Sequence, residues 1–396
     1  MKKLLKILVI SILAVVCSLG VVACDAPGAG DKEPGFKMYL VQNDGDPYYV
    51  ISEYVDDGET DVLSVPSKNG EYPVKEIKSN AFKNNETVTE LIVPDSIETI
   101  NEGAFAGMKK LSKITLPFIG KTAVSDSFIG ETDEAANKSI DKERTFAYLF
   151  GTESFNYGVQ ITGKYNSGDS NTKNYYMPSS LKEVTISSSK AYGIPMYAFS
   201  GNTVIETINL VGNIDMIGDY AFDGMKKLSK ITVLGTVNYI GNYAFNGCSA
   251  LTDNGFAFAD GTADLVIGEH AFDGVGLEVV KLPARVKTLG DYAFANSTVL
   301  DVELSLNKVS NYAFYNCTNL ASVKILGTTE IGVYAFANCK NLTKFGGNNA
   351  VDNVFDLTGI TKLGAMSFAN LNKTVSVTST LAIDVINSAF FNTTIA

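Results

Sequence analysis

The 396-residue chain has no tryptophan and one histidine, His270. A single imidazole gives no histidine-based metal set, and there is no H-E-x-x-H, no G-x-S-x-G and no phosphate-cradling glycine loop. Cysteine is scarce. Two of the five, Cys17 and Cys24, lie near the start, and Cys248, Cys317 and Cys339 have no zinc-ligand spacing. Basic residues are outnumbered, 32 against 43 acidic, and the first 23 residues hold three of the basic ones and no acidic one. The remainder therefore carries 29 basic and 43 acidic residues, a net charge of −14. That balance argues against nucleic acid, which needs a basic footprint, and against polybasic docking on anionic lipid. Long apolar runs are missing too: Ile7 to Val16 is too short for a transmembrane helix. The carboxylates are scattered, so no glycosidase-type pair stands out. No catalytic residue, cofactor or metal ligand is expected.

What the chain does have is a period. Ile217-Gly218-Asp219-Tyr220-Ala221-Phe222 is followed by Leu228 and Ile231-Thr232-Val233. The I-G-x-Y-A-F pattern, exact or loosened, ends at Phe82, Phe105, Phe199, Phe222, Phe245, Phe272, Phe294, Phe314, Phe336, Phe368 and Phe390. Phe82 to Phe105, Phe199 to Phe222 and Phe222 to Phe245 are each 23 residues. Such a period lies in the leucine-rich-repeat range of roughly 20–29 residues. Leu228, Ile231 and Val233 fit a short strand with one buried face, and Ile217, Ala221 and Phe222 supply the rest of the interior. One unit cannot close a core, but stacked units can.

The fuller unit, L-x-x-I-x-L-P-x-x-I-x-x-I-G-x-x-A-F-x-x-C, resembles the BspA-like, or Treponema-type, leucine-rich repeat. It stands here as Leu111, Ile114, Leu116 and Pro117 in one copy, and as Leu320, Val323, Ile325, Ile331, Ala335, Phe336 and Cys339 in another. The resemblance covers residues 62–396 with one interruption. It implies a bacterial surface protein, in a family where many members act in adhesion and the repeat carries no catalytic residues.

Residues 1–23 read as a signal peptide, with Lys2, Lys3 and Lys6 before the apolar run. Val21-Val22-Ala23-Cys24 resembles the bacterial lipobox, in which the thiol after the cut, here Cys24, carries lipid. The alternative is an ordinary secretory signal with Cys24 an incidental thiol. Residues 24–35 form a Gly/Pro/Asp-rich tether. Residues 36–73 hold short β-type runs separated by turn signals and read as an N-terminal β-hairpin cap, which an open solenoid end needs. The first repeats occupy 74–117. An insertion, 118–176, breaks the period with a charged stretch, the run Phe146 to Gly151, and a polar loop closing at Tyr175 and Tyr176. It is either a functional projection or a decorated coil whose aromatics pack. Repeats resume over 177–396. No sorting motif or apolar tail follows, so the lipid is the only anchor expected.

His270 sits in the column of Tyr197, Tyr220, Tyr243, Tyr292, Tyr312 and Tyr334, a repeat position that accounts for it without a catalytic role. Cys248, Cys317 and Cys339 each follow the repeat Phe by three residues, a small or apolar slot. Cys317 and Cys339 are one repeat apart, either paired or, as stacked parallel side chains favour, reduced and buried. Two surfaces are candidates for binding. One is the outward residue of each strand: Thr115, Thr185, Asn209, Thr232, Lys281, Glu303 and Lys324, expected as one polar ribbon. The other is the aromatic column, which either packs or binds. The insertion adds Tyr148, Tyr175 and Tyr176.

The expected architecture is a β-rich leucine-rich-repeat solenoid, α/β in class terms, of about twelve coils with an N-terminal hairpin cap. The expected function is non-catalytic recognition of an extracellular protein or glycan by a lipid-anchored, extracytoplasmic protein. The alternatives are a ligand-capturing lipoprotein of an uptake or degradation system, and an enzyme with its site in the insertion. No nucleic-acid partner is expected.

Overall fold

The structure, a computed structural model, describes residues 34–396 except 43–44, 124–140, 164–171, 190–191, 213, 234–236, 254, 259–260 and 262. The signal, Cys24 and most of the tether therefore lie outside the described residues. The chain winds into a mostly β solenoid of about 13 turns. Each coil is built from three pieces: a strand, a short second strand, and the tight turn that ends in the repeat Phe.

The strands follow from the alternation of apolar and polar residues. In Lys113–Leu116, Ile114 and Leu116 are buried while Lys113 and Thr115 face outward. Such strands pair in parallel and in register: Thr115 lies beside Thr185, Thr185 beside Asn209, and Asn209 beside Thr232. They form a six-stranded run from Val62–Ser64 to Lys230–Val233 and a seven-stranded run from Val279–Leu282 to Thr394–Ile395. The second-strand positions form their own parallel ladders, as where Ile217 pairs with Ile240 and Ile240 with Ile267.

The turns are stacked as tightly as the strands. Phe222 N–H donates to Ala244 O at 2.8 Å, Phe245 to Ala271 at 2.7 Å, and Phe272 to Ala293 at 2.7 Å. The non-strand side of each coil is thus hydrogen-bonded to the next, leaving few orphan backbone groups inside. The rings follow. Phe222, Phe245, Phe272 and Phe294 stack at 5.0 Å between successive centroids, and the column continues through Phe314, Phe336 and Phe368 to Phe390.

Two positions show how little room remains. Gly224 has φ 71°, a left-handed turn that other residues adopt at a cost. Gly290, the G of I-G, has no such φ, but a Cβ there would lie 2.3 Å from the Gly268 carbonyl carbon of the coil before. The first glycine serves the turn and the second serves the packing distance between coils.

The N-terminal cap is a hairpin, as expected. Gly35–Val41 pairs antiparallel with Tyr48–Val55, whose other edge pairs in parallel with Tyr72–Ile77. Phe36 and Tyr54 place their rings over Phe82, at 6.2 and 5.8 Å, and close the ring column. Val62–Ser64, within the segment read as cap, already serves as the first rung of the six-stranded run. A further rung, Val354–Asp356, comes from the polar expansion after Phe345, where Phe355 stacks on Phe345 at 5.8 Å.

The insertion is partly a disguised coil. The strand 113–116 pairs directly with Glu183–Ser187, so the sheet skips the insertion. The turn column does not. Phe105 N–H donates to Leu149 O at 3.0 Å, and Phe146 N–H to Ala198 O at 2.9 Å. Leu149-Phe150 therefore stands in for A-F toward the coil before, and Phe146 for the Phe toward the coil after, inside a short 3-10 helix, Phe146–Phe150. Phe150 faces Phe105 at 6.1 Å and Phe146 faces Phe199 at 4.9 Å, so two rings fill the rung.

Truncation tests this core. Phe245→Ala should cost about 3–5 kcal/mol, because the ring is fully buried between two neighbours. Nearest-neighbour coupling should also raise amide exchange in the coils of Phe222 and Phe272. Unchanged urea denaturation and exchange would mean that the ring column does not hold the coils together.

Candidate recognition surfaces

The seven ribbon residues make two rows rather than one. Thr115, Thr185, Asn209 and Thr232 share the first sheet, while Lys281, Glu303 and Lys324 share the second. The separation is caused by the long coil between them. There Gly255 O accepts from Ile231 N–H at 2.7 Å, but no strand forms among the described residues. Phe256 and Phe258 fill the space edge-on to Phe272. Asp253 then accepts from the N–H groups of Glu278 and Val279, at 2.8 and 3.1 Å, and starts the second row. Both rows spend polar groups internally: Asn209 donates to Glu183 and Thr185, and Lys324 pairs with Glu303 at 3.2 Å.

The tyrosine column is a continuous stack. Tyr197, Tyr220, Tyr243, His270, Tyr292, Tyr312 and Tyr334 lie 4.4–4.9 Å apart with planes within 11° of parallel. Each ring between the two ends has both faces covered by a neighbouring ring, so the stack offers edges and hydroxyls rather than open faces. Every member sits at φ between 52° and 58°, a left-handed conformation uncommon for bulky residues. Burial raises the phenols of Tyr220 and Tyr243, assisted at Tyr220 by Tyr243 and Asp219 and at Tyr243 by Glu269 and Asp273. His270 Nδ1 lies 2.8 Å from Asp273 Oδ2, within the stack's own polar edge.

The insertion residues divide. Tyr175 is fully buried and Tyr148 is 4 % exposed, so neither reaches a ligand as expected. Tyr148 lies in the 3-10 helix just described, and its phenol is pushed up to about 12, first by burial and then by Glu143 and Glu102. Tyr175 points inward from Lys173–Pro178, which pairs antiparallel with Gly158–Gly163. Tyr176 faces the other way and donates its hydroxyl to Gln160 Oε1 at 3.2 Å. Lys83–Glu153 and Lys173–Glu102 ion pairs hold the insertion to the first coils. A residue outside the expected set is Tyr157. It is 73 % exposed and has φ 70° in a turn closed by Gly158 N–H donating to Phe155 O at 2.9 Å. Its only trace in the sequence is the turn-like Asn156-Tyr157-Gly158.

The three thiols are buried and unpaired with one another. Cys248, Cys317 and Cys339 donate to the carbonyls of Phe222, Phe294 and Phe314, in the preceding coil, at 3.0–3.2 Å. Ser297 and Thr393 make the same bond to Phe272 and Phe368. The slot therefore serves as a hydrogen-bond donor as well as interior filling. Among the described residues no group of three His, Cys, Asp or Glu could hold a metal, and no helix is long and apolar enough to cross a membrane.

The family description "BspA type Leucine rich repeat region" matches residues 74–166, 169–259 and 263–358, in six copies. The chain belongs to the BspA-type leucine-rich-repeat family. Its solved neighbours are repeat proteins too. A leucine-rich repeat protein of Bacteroides ovatus is 17% identical, covering 92% of this chain and 98% of its own, with a TM-score of 0.36. A leucine rich cell surface protein of Faecalibacterium prausnitzii is 18% identical, with the same coverage and a TM-score of 0.31. The Treponema pallidum leucine-rich repeat protein is 17% identical over 78% of this chain and 87% of its own, with a TM-score of 0.22. No curated protein matches the chain.

In this BspA-type chain the tyrosine stack opposes a backbone cost. Tyr243→Gly should lose two stacking contacts, about 0.5–1.5 kcal/mol each, and recover about 1–2 kcal/mol of left-handed strain. Tyr243→Gly should therefore lose less in urea than Tyr243→Val, which stacks with nothing and resists positive φ. Equal losses would show that the strain is absent.

The thiols give a pH dependence. Burial pushes Cys317 up to about 12 and raises Cys248 and Cys339 as well, above an unfolded value of about 8.5. The folded state thus keeps protons that the unfolded chain gives up. This contribution is whole below about pH 8.5 and declines as pH rises toward about 12. Urea midpoints should fall from pH 7.5 to pH 10, and Cys317→Ser should flatten the fall. Rapid alkylation of native Cys317 at pH 8 would contradict its burial.

Proposed function

We propose that this chain is a lipid-anchored, cell-surface recognition protein that binds an extracellular protein or glycan without catalysis. The observation that carries the reading is a rigid repeat scaffold whose hydrogen-bonding groups are spent between coils, with one polar, aromatic-bearing hairpin built into it at the insertion. Rigidity lowers the ordering cost of binding, and a solenoid offers an extended surface rather than a pocket. The BspA-type family and the cell-surface description of the Faecalibacterium prausnitzii relative support a surface location. The ribbon rows carry short polar residues and no Trp or Arg of the kind that dominates protein hot spots, so affinity per copy should be modest. Display of many anchored copies on one cell would compensate by avidity.

The anchor is the first thing to test. The wild type should incorporate labelled palmitate and partition into detergent, and Cys24→Ala should be released or remain unprocessed. A soluble, unlabelled wild type would remove the lipid anchor from the proposal and leave the repeat surface as its only support.

A further inference from the structure

The hairpin of the insertion has two chemically different faces. Tyr175, Met177 and Ile161 point inward and are buried. The opposite face is formed by cross-strand pairs, Thr162 with Asn174 and Gln160 with Tyr176. Within the pairs, Thr162 donates to Asn174 Oδ1 at 3.1 Å and Tyr176 to Gln160 Oε1 at 3.2 Å. Both amide oxygens are thereby occupied and both amides are oriented. The Gln160 and Asn174 amide nitrogens take no partner among the described residues. They sit one pair apart, about 7 Å along the strands. Among the described residues the half-buried Tyr176 ring stacks on no other ring. Among the described residues of this face none is charged, in a chain whose part after residue 23 carries −14. Lys173 is held to Glu102 and lies over the Tyr175 ring at 5.4 Å.

We infer that this outward face, Gln160, Thr162, Asn174 and Tyr176, is a binding site for an uncharged oligosaccharide. The inference rests on the recognition function proposed above and names its ligand class. A partly exposed aromatic ring packs against the apolar C–H face of a pyranose, and primary amide donors bind its hydroxyl and ring oxygens. Pre-oriented amides lose little freedom on binding. The described face offers an acidic glycan no basic partner.

The experiment uses the full chain in detergent on immobilised β-1,3-glucan, mannan and chitohexaose, with heparin as the acidic arm and gelatin and serum albumin as the protein arm. At least one uncharged glycan should be retained. Tyr176→Ala and Gln160→Ala should each weaken it tenfold or more with melting unchanged, while Lys226→Ala, on an exposed site elsewhere, binds as wild type. Retention of gelatin or albumin with the glycan arms empty overturns the glycan assignment and leaves recognition of a protein standing. Retention of heparin alone overturns the selection for uncharged ligands. A Tyr176→Ala chain that holds glycan as tightly as wild type overturns the location of the site.

Discussion

The rest of the molecule depends on one constraint: each coil must set an aromatic ring on the ring of the coil before it. From Phe36 and Tyr54 in the cap to Phe390 in the last coil, centroid spacings stay between 4.9 and 6.2 Å. That spacing is close to the separation of paired strands, about 4.8 Å, so rings and strands can keep step. Once they do, other choices narrow. The I-G glycine is needed because successive backbones touch, and the residue two places after the ring turns left-handed, as Gly201, Gly224, Gly247 and Gly274 or as Asn296, Asn316, Asn338 and Asn370. Where Asn replaces Gly, its amide becomes a further rung: Asn316 donates to Asn296 at 2.9 Å and Asn370 to Asn338 at 3.0 Å.

The tyrosine column follows from the same register. A left-handed residue in every coil would ordinarily be Gly or Asn, as at Gly103 and Asn80. Seven consecutive aromatic residues at that position are supported by contact with one another, since a lone Tyr there would carry the strain without the stack. The column is thus cooperative along the solenoid, and it stops where its partners stop. Met366 takes the next left-handed position after Tyr334.

Much of the fold was legible in the sequence because the repeat constrains few residue types at fixed spacing. The A-F units, the buried strand faces, the hairpin cap and the interior Cys slot could all be read from pattern. The turn at Tyr148-Leu149-Phe150 could not. Leu replaces the small residue of the pattern, and a second ring, Phe146, shares the rung, so no period marks it. The candidate site was less legible still. Tyr148, Tyr175 and Tyr176 are equivalent as composition; a 3-10 helix buries the first, and strand alternation buries Tyr175 and leaves Tyr176 partly exposed. The ribbon divided because Ser249 to Asp264 has residues of the right polarity but, among its described residues, makes no strand to join the two sheets. Tyr157 gave no signal because exposure and a positive φ are properties of the folded turn.

Those distinctions bear on where recognition resides. Along the repeats, polar side chains are largely paired with their neighbours, as Asn209 is with Thr185 and Lys324 with Glu303. A ligand there must displace bonds that the scaffold already makes, which returns little net free energy. The hairpin differs because its outward amides are held by one atom and left open at the other. It is also tied down: Phe146 and Phe150 are part of the ring column, and Lys83 and Lys173 pair across to Glu153 and Glu102. The described part of the segment that departs most from the repeat pattern is therefore tied into the coils around it. Removing it would take two rings out of the core, so its packing role and its binding role cannot be separated by deletion. They separate at single outward side chains, where the inward half of the same hairpin stays in place.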